Sequence, residues 1–173
     1  MNNKKFENIS MKGRMAYLIL CIETYLNELF PDKDWHILSQ WMWPVTSEYW
    51  DEWDDRFIEI IPEYLFEFDS YEDSDFESLS LEDYEYFTGL FADMPEDFNQ
   101  LLLSLHEMQK VYCYTSIPGK GTESIKIIDE VCSILEKTNL ALPDITTVEF
   151  SHFTEKDGWG EDFDGTNLSL ILN

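Results

Sequence analysis

A mainly α-helical single domain is the fold this sequence predicts, and three observations carry that expectation. Apolar residues recur every three or four positions from residue 10 to residue 138, the period of a helix with one buried face. Strand-like alternation is confined to residues 147–153. The 173-residue length, 44% hydrophobic and 16% aromatic content suit one domain with a real core rather than an acidic disordered chain, which would be poor in aromatics. The expected architecture is an irregular bundle of about six helices over residues 1–173. A small C-terminal β-hairpin is the one place where sheet is allowed for.

Each element follows from local chemistry. Ser10 is placed to cap a helix whose apolar positions Met11, Met15, Leu18, Ile22, Tyr25, Leu26 and Leu29 keep the period up to Pro31. Ile19, Leu20 and Cys21 add apolar surface on its other sides, so this helix should be central. Residues 35–43 read as a short helix ended by Pro44. Thr46 and Ser47 are candidate caps for a third helix, along which Trp50, Trp53, Phe57, Ile61, Tyr64 and Phe68 recur every three or four positions; Pro62 should kink it or begin another. Residues 69–80, acidic and serine-rich, read as a loop. Helices follow over 81–93 and 95–112, the second with Phe98, Leu101, Leu102, Leu105 and Met108 on one face. A turn at Pro118, Gly119 and Gly121 leads to a last helix over 122–138, ended by Asn139 and Pro143.

Charge is the dominant functional signal. Residues 48–97 hold nineteen Asp and Glu against a single base, Arg56, so this stretch carries −18 of the net charge of −25. Such a field opposes compaction by self-repulsion, and its simplest use is docking onto a basic partner. Glu48, Glu52, Asp55, Glu59, Glu63 and Glu67 are spaced to form an acidic ladder opposite the apolar stripe. Each like-charge neighbour pair costs roughly 0.2–0.5 kcal/mol on a continuous helix. A surface needed for solvation alone would mix in lysines. Trp41 and Trp43 point different ways from one short helix, so one of the two is expected at the binding surface with the ladder.

Other chemistries find little support in the sequence. There is no HExxH, no GxSxG and no His/Cys cluster with zinc spacing, and His36, His106 and His152 stand apart. The run Pro118-Gly119-Lys120-Gly121-Thr122 lacks the GxxxxGK[ST] order of a phosphate loop. The acidic loops at 69–75 and 157–164 lack the glycine and glutamate positions of an EF-hand, leaving weak Ca²⁺ affinity at most. No cofactor, metal site or catalytic residue is expected. Direct nucleic-acid binding is opposed by the charge. The longest apolar run, residues 15–22, is far short of the roughly 20 residues of a membrane span. The start MNNKKFENIS lacks the apolar segment and cleavage site of a signal peptide, so a cytoplasmic location is expected. Cys21, Cys113 and Cys132 read as buried thiols in a reducing compartment. The early bases Lys4, Lys5, Lys12 and Arg14 are expected to pair internally with the acidic helices.

The segment MKGRMAYLILCIETYL (residues 11–26), followed by the Trp-rich DWHILSQWMWPVTSEYWDEW (residues 34–53), resembles the all-helical immunity protein 6 family of bacterial polymorphic-toxin systems. The likeness covers about the first third of the chain. It implies an all-helical fold and an antitoxin role against a cognate toxin encoded nearby, such as a basic nuclease domain, and it assigns no catalytic residue. The alternative is an acidic DNA mimic of phage or mobile-element origin that blocks a restriction or other DNA-binding enzyme. Duplex mimicry would spread acids along the whole body, whereas here they concentrate in the middle third.

Overall fold

The computed structural model describes residues 3–47 and 50–173, with side chains described for 4–47 and 52–173. Among them are seven α-helices: α1 (Met11–Leu29), α2 (His36–Met42), α3 (Trp50–Ile58), α4 (Pro62–Leu65), α5 (Leu81–Phe91), α6 (Glu96–Lys110) and α7 (Thr122–Lys137). The mainly α expectation holds. Pro62 begins a separate helical turn at its first position, where a missing N–H costs nothing. At Pro44 the chain tightens into a 3-10 turn, Trp43–Thr46, instead of leaving the helical path.

The Ser10 cap read from sequence is in place and Ser80 supplies another, whereas Thr46, a candidate cap for the third helix, spends its hydroxyl on the Trp43 and Phe163 carbonyls. Ser10 Oγ accepts the Gly13 N–H at 3.1 Å at the start of α1, and Ser80 Oγ accepts the Asp83 N–H at 3.1 Å at the start of α5. Asn139, with φ of +59°, turns the chain after α7, and the Leu140 N–H reaches back to the Leu135 carbonyl at 2.9 Å. Helix α1 is the centre of the molecule. Every residue from Met11 to Glu23 is buried, because α6 and α7 cover one side while the Trp43–Thr46 turn and the C-terminal tail cover the rest. Helix α3 lays Trp53 and Phe57, stacked 4.4 Å apart, onto this core and packs against α6.

The tail differs from the hairpin allowed for. It forms three 3-10 turns, Ile145–Val148, Lys156–Gly158 and Gly165–Leu168, and a single antiparallel bridge between Ile9 and His152. The reason is where its backbone groups find partners. Ser10 N–H donates to the Ser151 carbonyl (2.9 Å), Phe153 N–H to the Asn8 carbonyl (2.9 Å) and Lys12 N–H to the Trp159 carbonyl (3.0 Å), so these long-range bonds join the tail to the entry to α1, and the bonds it makes with itself close only local turns. Gly165 lies against the Trp43 indole so closely that a Cβ would collide with it.

Two buried charges pin α1 to its surroundings. Arg14, 0% exposed, donates through its guanidinium to the carbonyls of Phe6 (2.7 Å), Lys120 (2.9 Å) and Gly121 (3.1 Å) and to Ser124 Oγ (2.6 Å), with the Phe153 ring 5.1 Å away. Burial lowers its pKa from 12.5 to about 10, which leaves it charged at neutral pH. Of the early bases, Lys12 pairs with Asp162 of the tail loop and not with an acidic helix, and Arg14 takes carbonyls. Glu23, also 0% exposed, accepts from Trp43 Nε1 (2.7 Å), Ser169 Oγ (2.7 Å), the Leu170 N–H (2.6 Å) and Ser39 Oγ. Cys21 and Cys132 are buried thiols as expected, whereas Cys113 is half-buried.

Replacing Glu23 by Gln turns an acceptor into a group with its own donors among four donors. We expect a loss of roughly 3 kcal/mol, comparable to one or two charged hydrogen bonds, and a fall in Tm of about 6–12 °C for a chain of this size. Thermal unfolding followed by circular dichroism checks this; an unchanged Tm would show that the Glu23 cluster contributes nothing.

Candidate functional site

Helices α3, α4 and α5, with the loop between α4 and α5, carry the acidic stretch. Of the described acids between positions 52 and 97, all but Asp54, Glu59 and Asp83 are exposed. Among those described side chains only Asp54 meets a cation. Arg56, the one base of the stretch, lies over the Trp41 ring at 5.3 Å. The chain's other bases are largely engaged elsewhere. Lys12 meets Asp162, Lys33 donates to the Ala92 and Leu90 carbonyls at the end of α5, Lys126 meets Glu123, and Lys156 meets Glu161 and Asp162. The acidic tail loop is thus partly neutralised within the chain, while the middle of the sequence is not.

The ladder predicted from spacing is not one continuous row, because the helix breaks between Ile58 and Pro62. Glu52, Asp55, Glu63 and Glu67 are exposed and belong to the acidic surface. Glu48 lies outside the described residues. Glu59 acts within the chain instead. Its carboxylate accepts the backbone N–H groups of Glu77 (2.6 Å), Ser78 (3.0 Å) and Leu79 (2.6 Å), closing the acidic loop onto the end of α3. A carboxylate shared by three amides is a loop clamp, and its charge is already in use.

The two tryptophans separate. Trp43 is 1% exposed and donates to Glu23, so it belongs to the core and is not available to a partner, contrary to its place in the expected binding set. Trp41 is half-buried, edge-on to Phe87 with centroids 5.1 Å apart, and its carbonyl accepts the Trp53 indole N–H at 2.9 Å. It lies beneath Arg56, at the border of the acidic surface.

Sequence reading misses a second fixture of this surface. Asp54 faces His106 Nε2 at 2.7 Å, a short but poorly aligned contact, and Lys110 Nζ at 3.4 Å, tying α3 to α6. The spacing of His106 and Lys110, one turn apart on α6, is the available signal. Burial opposes the charge on Asp54, but the close approach of His106 and of Lys110 outweighs it and holds the carboxyl below its ordinary pKa.

Between α4, α5 and α6 the surface is concave. A cavity of about 370 Å³ has Phe91 and Phe98 as its floor, edge-on with centroids 4.8 Å apart, and Phe66, Met94 and Pro95 as its walls. Glu63 and Glu96 stand at its rim. Asn99 holds the rim together: its Oδ1 accepts the Glu63 N–H at 3.1 Å and its Nδ2 donates to Glu96 Oε1 at 3.2 Å. Among the described residues no group of three His, Cys, Asp or Glu side chains is arranged to hold a metal ion, and no helix is long and apolar enough to cross a membrane.

No protein-family model matches the sequence, and neither the curated proteins nor the solved structures contain a match.

Two outcomes test these assignments. A carboxyl whose folded pKa is depressed adds stability above its unfolded value, about 4, and that stability is lost as pH falls through the folded value. Unfolding midpoints in urea should therefore fall more steeply below pH 4 in the native chain than in Asp54→Asn; parallel profiles would remove the Asp54 tether. Glu59→Ala should speed amide exchange at residues 77–79 by at least about tenfold, equivalent to one lost charged hydrogen bond, and leave the amides of α1 unaffected. Unchanged exchange at 77–79 would show that Glu59 is not the clamp.

Proposed function

We propose that this chain is an immunity-type inhibitor that docks a cognate basic toxin domain, such as a nuclease, through the acidic surface of α3, α4, α5 and their connecting loop. The observation that supports the reading is the uncompensated charge. Exposed carboxylates from Glu52 to Asp97 stand without internal cations, although the same chain uses Lys12, Lys126 and Lys156 to neutralise acids elsewhere. Solvation does not need that segregation, and association with a cationic surface does.

Inhibition then works by coverage. A nuclease holds its phosphate substrate with Lys and Arg, and a fixed field of carboxylates competes for those cations and blocks the groove they line. The clamp at Glu59 and the tether at Asp54 give the field a defined shape, which lowers the ordering cost of binding. Attraction between opposite fields speeds encounter and weakens as salt shortens its range. The resemblance of residues 11–26 and 34–53 to immunity protein 6 suggests the toxin class of partner.

The test pairs the chain with the toxin domain encoded beside its gene. A variant with Glu52→Gln, Asp55→Asn, Glu63→Gln and Glu67→Gln spares Glu59 and should stay folded. It should lose at least about a hundredfold in affinity, mainly through faster dissociation of desolvated pairs, and its association rate should depend less on salt. A folded variant that neutralises the toxin at native potency would overturn the proposal.

A further inference from the structure

We propose that the concave site between α4, α5 and α6 is the anchor of this docking surface, receiving a partner segment that carries an arginine or lysine beside an apolar side chain. The inference rests on the reading of the acidic surface as a partner-binding face and adds the chemistry of what enters it. Phe66 is 49% exposed and stands beside Met94 and Pro95 over the buried pair Phe91 and Phe98. A cavity of about 370 Å³ lies within the range of sites that take up a ligand group, on the order of 300–1,000 Å³.

The rim decides which group fits. Glu63 and Glu96 come from different helices, and Asn99 ties the Glu63 backbone N–H to the Glu96 carboxylate, so two acidic residues border an apolar, aromatic-floored depression. A purely apolar plug would strip water from the carboxylates without replacing it. A phosphate group, from nucleic acid or lipid, would meet like charge. A long cationic side chain satisfies both halves: its methylene stem lies on Phe66 and Pro95, its head reaches the carboxylates, and a guanidinium can also stack on the ring. An adjoining apolar residue fills the floor. A second copy of the chain is disfavoured because each copy carries −25 and the sole base of its acidic stretch, Arg56, is occupied over Trp41.

The experiment titrates the isotope-labelled full chain with three short synthetic peptides: one containing Arg and Leu, the same peptide with Leu replaced by Ser, and the same peptide with Arg replaced by Gln. Met94 methyl and Asn99 side-chain amide resonances report on the cavity. The Arg/Leu peptide should shift both resonances and bind at least about tenfold tighter than either relative at low salt. Phe66→Ser should weaken both Arg peptides several-fold, because the cationic stem lies on that ring. Glu96→Gln keeps the Asn99 acceptor and should weaken the Arg/Leu peptide several-fold, which keeps the test sound if Phe66→Ser misfolds. Equal binding of the two Arg peptides with the Met94 methyl unmoved would overturn the anchor while leaving the acidic surface as a docking face. Equal binding of the Arg-free peptide would make the cavity a plain apolar site and also overturn it. Failure of both Arg peptides to bind at low salt would remove the anchor and the electrostatic reading together.

Discussion

The carboxylate of Glu23 is the constraint on which the arrangement of this fold depends. It sits inside α1, where a carboxyl group is tolerable only if its lone pairs find donors, and the donors come from three separate parts of the chain. Ser39 comes from α2, Trp43 from the 3-10 turn after it, and Ser169 and Leu170 from the tail. Satisfying one acid therefore fixes the path of two segments that lack the apolar periodicity to fix themselves. Arg14 does the same at the other end of α1, gathering the N-terminal turn and the entry to α7 through their carbonyls. Apolar burial supplies the bulk of the stabilisation, but it is non-directional. The two buried ions supply direction.

The acidic half of the molecule is organised on the opposite plan. Among the described side chains its carboxylates are kept away from cations, apart from Asp54, while Glu59 is spent on the loop amides. The separation has an energetic cost in self-repulsion, which the large core of α1, α6 and α7 offsets. The aromatic cluster of Phe87, Phe91 and Phe98 extends that core beneath the charged surface, giving it a stiff floor. Charge, floor and cavity thus fall on contiguous elements.

How much of this is readable in the sequence follows from where each decision is made. Helices α1, α5, α6 and α7 are legible, since their period, caps and terminators all act within a few residues; Ser10, Ser80 and Asn139 behave as local chemistry dictates. The tail is not, because its conformation is set by bonds to residues 8–12, and nothing in its own composition announces them. Trp43 reads as a candidate for the surface for the same reason: its partner is a glutamate just past the apolar run 15–22, twenty residues away. Glu59 fits the ladder by spacing, yet the amides of a loop eighteen to twenty residues away decide its role. Asp54 neighbours the ladder, and only the placement of α3 on α6 reveals its partners.

The bonds from Glu23 to Ser169 and Leu170 also set an order of events during synthesis. They span 146 and 147 residues, so α1 emerges from the ribosome and waits, its acid unsatisfied, until the far end of the sequence is available. Partial chains therefore carry a central helix that cannot finish its packing, with apolar surface open to chaperones and proteases alike. A protein of this design completes its core as a unit.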